Sequence, residues 1–391
     1  MNYNFSNRMT NVQKSFIREI LKVTVDPQII SFAGGLPNPQ TFPVEEIETA
    51  ASKVLKNDGK NTLQYSTTEG YLPLRQYIVD RYKLKKGLDI SPDDILITNG
   101  SQQALDLIGK AFVDKDDDVI IESPGYLGAI QALSMYEPNF HVVPLNDDGI
   151  DIETFRGQIS KFNPKIFYSV PNFQNPTGIT YSSQKRVELA NVLSNSKTIM
   201  IEDDPYGELR FLGENLPSMK SYLSNNIILL GSFSKIISPG MRLGWVCANQ
   251  EVMEKLIIAK QASDLHSNFL SQRIIYQYLV DCDLDDHIER IKQLYKAQRN
   301  FMISGIDEYF PKDFRTTRPE GGMFLWVEMP DSISSIKLFD IASKEKVVFV
   351  PGDPFYINIT DSNAMRLNYT NSTEEDIEIG IKRLVNALKK Y

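Results

Sequence analysis

From about residue 95 to 250, short apolar runs rich in β-branched residues alternate with stretches whose apolar positions recur at helical spacing. That alternation predicts repeated βα units around a largely parallel sheet, an α/β fold. Strands are predicted at Ile95 to Thr98, Val119 to Glu122, His141 to Leu145, Lys165 to Val170, Thr198 to Glu202, Ile227 to Gly231 and Leu243 to Ala248. Helices are predicted between them, including Gln102 to Phe112 and Ser183 to Leu193, with Ser or Asn near their starts in capping positions.

A long periodic stretch, Leu284 to Tyr309, predicts a linking helix. The remainder reads as strand, helix, strand, strand, helix: Gly322 to Glu328, Ile336 to Glu345, Val347 to Val350, Met365 to Tyr369 and Thr373 to Lys390. A smaller α+β domain follows from this order. The first 45 or so residues end in the turn-rich Gly34-Gly35-Leu36-Pro37-Asn38-Pro39 and are too few for a core of their own. The expected division is therefore an N-terminal segment over 1–45, a large domain over 46–283 and a small domain over 284–391.

Composition narrows the partners. With 391 residues, 42% of them hydrophobic and 24% charged, the chain is an ordinary globular one. Its net charge of −8 and pI near 5.2 supply no basic field for nucleic acid or an anionic membrane, so any anion must be held by a local site. Cys247 and Cys282 lie far apart and form no disulfide or metal pattern. No signal-peptide core begins the chain and no apolar run approaches the ~18 residues of a membrane span, so the cytoplasm is expected. His141, His266 and His287 share no motif spacing, and zinc-hydrolase, P-loop and Gly-x-Gly-x-x-Gly strings are missing.

The chemistry gathers at the C-terminal ends of the predicted strands, where open α/β sheets place ligands. A lone lysine is ordinarily a solvated surface charge. Lys235, in Gly231-Ser232-Phe233-Ser234-Lys235, instead follows an apolar strand, stands among small hydroxyl residues and precedes Arg242 by seven positions. This setting suits an amine that condenses with an aldehyde beside a bound phosphate, its pKa lowered by desolvation and a neighbouring cation, with Arg242 meeting the phosphate through its planar fork. The turn Thr98-Asn99-Gly100-Ser101-Gln102 joins a strand to a helix; it can cradle an anion on backbone N–H groups, although by itself it reads equally as a helix cap. In Glu202-Asp203-Asp204-Pro205-Tyr206, Asp203 stands nearest the strand and is the carboxylate best placed to pair with a ring nitrogen, with Tyr206 in reach of the same ligand. Asn175, in the Pro-rich turn Pro171 to Gly178, can donate to a phenolate oxygen.

In this order and spacing, Ser-Phe-Ser-Lys-x₃-Pro-Gly-x-Arg-x-Gly, Asn-Pro-Thr-Gly and Asp-Asp-Pro-Tyr resemble the class I/II aminotransferases of fold type I over nearly the whole chain. The resemblance implies a large domain with a mostly parallel seven-stranded sheet, and a homodimeric enzyme using pyridoxal 5′-phosphate. It implies that Lys235 carries the cofactor as a Schiff base and acts as the base, that Asp203 binds the pyridine nitrogen, and that Asn175 and Tyr206 hold the phenolic oxygen. The phosphate falls to Ser101, Gln102, Ser232, Ser234 and Arg242, with Tyr65 reaching the phosphate of the neighbouring subunit. Tyr126 matches the ring-stacking aromatic, and Arg366 the arginine that binds the substrate α-carboxylate.

The Ile17-Arg18-Glu19-Ile20 string and the segment around Gly35 are similar to the branch acting on 2-aminoadipate, kynurenine and aromatic amino acids. There Arg18 falls where an arginine can meet a side-chain carboxylate, its alternative being a solvated helix arginine. Glutamate and 2-oxoglutarate are the expected shared pair, with ping-pong kinetics. A lyase of the same fold could use the same cofactor residues. An aminotransferase-like sensor domain of a transcription regulator is disfavoured, because too few residues precede Gly34 for a winged helix.

Overall fold

The computed structural model describes residues 3–11 and 26–391; the Ile17 to Ile20 string, Arg18 included, lies outside the described residues. In chain order the strands are β1 Ile30–Ser31, β2 Ile95–Thr98, β3 Asp118–Ser123, β4 Asn139–Asn146, β5 Gly149–Ile150, β6 Ile166–Ser169, β7 Ile199–Asp203, β8 Ile227–Ser232, β9 Gly244–Cys247, β10 Arg315–Thr316, β11 Phe324–Glu328, β12 Val347–Val348, β13 Val350–Pro351 and β14 Ala364–Asn368.

Eight of them form the main sheet in the order β2-β9-β8-β7-β6-β3-β4-β5. The centre is parallel, from β4 through β3, β6 and β7 to β8. At one end β9 runs antiparallel to both β8 and β2. All seven expected strands are present, and β5 is the addition. Two residues are too short to show alternation in a sequence, and Gly149 enters the hairpin at φ +125°, where a side chain would be disfavoured. Strand order reverses between β3 and β6, which puts the carboxyl ends of β3, β6, β7 and β8 around one crevice.

A second, antiparallel sheet has the order β10-β11-β14-β13. The expected single strand from Val347 to Val350 is two short ones in different sheets: β12 pairs in parallel with β1, while β13 pairs with β14. Between them the buried Phe349 turns edge-on to Phe339, centroids 5.8 Å apart, and the chain changes partner there.

In chain order the helix Leu284–Tyr309 lies between the strands of the two sheets, and its buried Leu284, Ile288, Ile291, Tyr295, Met302 and Ile306 form one stripe. Asp283 caps it by accepting from the backbone N–H of Asp285 and Asp286. One apolar cluster joins Leu230 and Trp245 of the main sheet to Phe324 and Leu367 of the smaller sheet, so the crevice is floored and walled by a continuous core. Both cysteines are free thiols, and no helix among the described residues is long and apolar enough to cross a membrane.

Candidate active site

At the carboxyl ends of β3, β6, β7 and β8 lies a cavity of about 400 Å³. Its lining includes twelve of the expected site residues: Gly35, Ser101, Gln102, Tyr126, Asn175, Asp203, Tyr206, Ser232, Ser234, Lys235, Arg242 and Arg366. Tyr65 does not join them; it is 80% exposed, its ring 5.9 Å from that of His266. Tyr168, Val170, Pro205 and Pro239 also line the cavity and were not singled out from sequence.

Asp203 closes β7, and the pleat turns it and Asp204 to opposite sides. Asp204 pairs with Lys86 and accepts from Asn172 Nδ2 at 2.8 Å, while Asn172 is itself held by the buried Arg186 at 2.7 Å. Asp203 faces the cavity. Its Oδ2 accepts from the Tyr168 hydroxyl at 2.7 Å, while Oδ1 is buried and, among the described residues, without a partner. Burial, reinforced by Asp204 and Glu122, pushes this carboxyl up to about 7.

Lys235 Nζ donates to the Gly35 carbonyl at 2.8 Å. Burial first, then the positive Arg366 and Arg242, lower its pKa to about 8, which makes the neutral amine accessible near physiological pH. The helix Ser101–Phe112 points its N-terminus at the same cavity, with Ser101 Oγ buried and unpartnered among the described residues. Gly100 has φ +77°, and a Cβ there would lie 2.9 Å from Arg242 Nη2, so only glycine leaves room for the guanidinium against this turn. Arg242 Nη2 also donates to the Asn99 carbonyl at 2.9 Å. Ser232, Ser234 and Arg242 complete a cup of hydroxyls, N–H groups and one guanidinium, which is phosphate chemistry. Gln102 is turned partly aside, donating to the Gly128 carbonyl at 2.8 Å.

Arg366, on β14, reaches the cavity from the second sheet and is 1% exposed. It donates to Asn175 Oδ1 and to the Ala33 carbonyl, each at 2.8 Å, and lies over the Phe324 ring at 4.3 Å. Burial lowers even this guanidinium to about 10, so an incoming carboxylate meets a poorly solvated cation. Tyr126 and Tyr168 stack at 6.4 Å, and burial raises Tyr126 to about 12. Both are neutral donors near pH 7.

A lysine poised as a neutral amine, a carboxylate oxygen awaiting an N–H and a hydroxyl-lined cup fit pyridoxal 5′-phosphate at its aldehyde, ring nitrogen and phosphate. Comparison with known proteins agrees. The family model for aminotransferase class I and II matches residues 29–384. An aromatic-amino-acid aminotransferase of Thermococcus litoralis is 40% identical over 392 positions, covering 99% of this chain and 94% of the relative. A 2-aminoadipate transaminase of Thermus thermophilus is 40% identical over 389 positions, covering 98% and 96%. The crystal structure of a Pyrococcus horikoshii kynurenine aminotransferase, solved with pyridoxamine phosphate, superposes with a TM-score of 0.94 at 41% identity, covering 99% of this chain and 97% of that one. Fold, cavity chemistry and kinship over the full length converge, and this chain belongs to the class I and II aminotransferases as a pyridoxal 5′-phosphate-dependent transaminase.

Proposed function

We propose that the enzyme transfers the amino group of an L-amino acid of the 2-aminoadipate or aromatic kind to 2-oxoglutarate, in two half-reactions at one site. The observation that carries this reading is the buried Arg366 lining the same cavity as Lys235 and Asp203, because amino and oxo acids both present a carboxylate beside the reacting carbon. Three relatives named for aromatic amino acids, 2-aminoadipate and kynurenine support the substrate class.

In this reading Arg366 exchanges its bonds to Asn175 Oδ1 and the Ala33 carbonyl for the two oxygens of the substrate carboxylate. Lys235 would be the covalent attachment point of the cofactor, and its Nζ, with a pKa lowered by burial and by Arg366 and Arg242, would be the base that takes the substrate's α-proton. Asp203 Oδ1, buried and without a partner among the described residues, would accept from the pyridine N–H and favour the charged form of that nitrogen. Asn175 and Tyr206 would hold the phenolic oxygen, Tyr126 would cover the ring, and Ser101, Gln102, Ser232, Ser234 and Arg242, which line the same cavity, would receive the phosphate. Pyridoxal 5′-phosphate, when bound, supplies the electron sink that makes the α-proton removable. Gly35, whose carbonyl touches Lys235 Nζ, lies on the substrate side, and the apolar wall at Val170 keeps bulk water from the proton's path.

The exposed Tyr65 suits a residue that completes the site of a second copy, and we assign the enzyme as a homodimer on that ground. We take 46–283 as the cofactor-binding domain, 284–391 as the small domain and 1–45 as the segment over the site. A net charge of −8 favours an enzyme without nucleic-acid or anionic-membrane partners, and we keep the cytoplasm as its expected compartment.

The test is a panel of L-amino acids against 2-oxoglutarate. A 2-aminoadipate, kynurenine or aromatic donor should yield glutamate, with parallel double-reciprocal lines as a ping-pong mechanism requires. Release of pyruvate and ammonia without a new amino acid would instead establish a lyase.

A further inference from the structure

Tyr168 is fully buried on β6, opposite Ile201 of β7 in the parallel register. Because Ile201 and Asp203 share a face of β7, the phenol lies diagonally below the carboxylate on the cavity side and spans the gap with one hydrogen bond, Oη to Oδ2, of 2.7 Å. Like charges surround that carboxylate: Asp204 follows it in the chain and Glu122 stands on β3, both favouring its neutral form. The phenols of Tyr126 and Tyr206 face it from the loops after β3 and β7. Among the described residues, Tyr168 is the hydrogen-bond donor to Asp203.

An acid buried among anions would take up a proton and swing freely. A donor fixed to one oxygen opposes both, because it stabilises the ionised form and leaves the other oxygen aimed into the cavity. We propose that Tyr168 is a positioning residue for the reaction: its hydroxyl holds Asp203 by Oδ2 so that Oδ1 is delivered, ionised, to the cofactor's ring nitrogen. This rests on the reading that Asp203 faces that nitrogen. Packing under Tyr126 needs only the ring of Tyr168, which phenylalanine would supply, so the hydroxyl is the atom to test.

The experiment compares wild type, Tyr168→Phe and Asp203→Asn as holoenzymes loaded with cofactor carrying ¹⁵N in its ring, using the nitrogen chemical shift to locate the proton. In the apoproteins the Asp203 carboxyl is titrated by ¹³C, assigned by its loss in Asp203→Asn. Tyr168→Phe should move the ring nitrogen from its protonated position toward that of Asp203→Asn, and should raise the Asp203 midpoint by about one pH unit or more. Should Tyr168→Phe fail to fold, 3,5-difluorotyrosine at 168, a stronger donor of nearly the same shape, must lower the midpoint instead. If Asp203→Asn moves the nitrogen signal while neither change at 168 shifts the signal or the midpoint, Tyr168 is only a packing residue and the inference is overturned. If Asp203→Asn itself leaves the nitrogen unmoved, the assignment of Asp203 has failed first.

Discussion

Arg366 Nη1 lies 2.8 Å from Asn175 Oδ1, a bond that crosses from the second sheet to the loop after β6 and joins the proposed substrate anchor to a proposed cofactor ligand. Truncating Arg366 would remove the cation proposed to meet the substrate carboxylate and leave that carboxylate buried and unpaired. Arg366→Leu should therefore cut kcat/KM about 100-fold to 1,000-fold for amino donors and 2-oxo acids alike. Arg366→Lys should recover little, since a point charge does not reproduce the two-pronged fork. Steady-state kinetics with each substrate varied will show it, and an unchanged kcat/KM for 2-oxoglutarate would remove Arg366 from the α-carboxylate.

Lys235 makes a pH prediction. Its burial, with Arg366 and Arg242 adding positive charge, favours the neutral amine and brings its pKa to about 8. At pH 7 roughly one apoprotein molecule in ten then carries a nucleophilic amine, against roughly one in several thousand for a free lysine. Competitive acylation of the apoprotein, read by mass spectrometry, should show Lys235 reactivity rising through pH 8 and levelling above it. Arg366→Leu should push that midpoint upward, because a repelling cation has gone. A midpoint in the ordinary lysine range would mean the amine is not activated.

Much of this architecture was legible because the features are local. The helix Leu284–Tyr309 carries its apolar stripe along its whole length, and Lys235 and Asp203 follow continuous apolar runs, so each could be placed at a strand end. Nothing local marks Arg366. An arginine in the buried strand Met365-Arg366-Leu367 gains its meaning from residues brought together by folding, and family resemblance alone identified it. Tyr168 escaped notice because a tyrosine inside a strand reads as core. The signal was its period-two relation to Val170, which put both on the cavity face, and the rule that a buried phenol finds a hydrogen-bond partner. The split between β12 and β13 was invisible, because an apolar run does not reveal that its two ends pair with different sheets.

Asp203 predicts a stability effect that changes sign with cofactor. In the apoprotein burial holds its carboxyl near 7, above the ordinary carboxylate value, so the folded state binds more protons than the unfolded one between these limits. The group's contribution is fully present below the unfolded pKa and is lost as pH rises through 7. Asp203→Asn should thus stabilise the apoprotein at pH 8, by on the order of 4 kcal/mol at most, and much less at pH 5. With cofactor bound the ring nitrogen offsets the charge, and the same substitution should lower the Tm. Thermal unfolding of both forms at the two pH values checks it; a pH-independent difference in the apoprotein would show that the carboxyl is already ionised.

Arg18 decides between the two donor classes. If its guanidinium meets the distal carboxylate of 2-aminoadipate, Arg18→Ala should lower kcat/KM for that donor by about 10-fold or more and leave phenylalanine within about 2-fold. Equal losses on both donors, or none on either, would remove Arg18 from the distal carboxylate.

Tyr65 provides the sharpest test of the assembly. In one subunit it stands 80% exposed and does not line the cavity that holds Lys235, so any role at the phosphate belongs to the site of another copy. Tyr65→Ala should weaken cofactor binding, and Lys235→Ala should abolish transamination; neither homodimer would turn over at limiting cofactor. In a hybrid of the two, the site built on the Tyr65→Ala subunit keeps its own Lys235 and receives Tyr65 from its partner. Random reassociation gives half hybrids with one intact site each, so mixing the two proteins should restore about a quarter of wild-type activity. Mixtures that stay inactive, although native mass spectrometry shows subunit exchange, would place Tyr65 outside the partner's site.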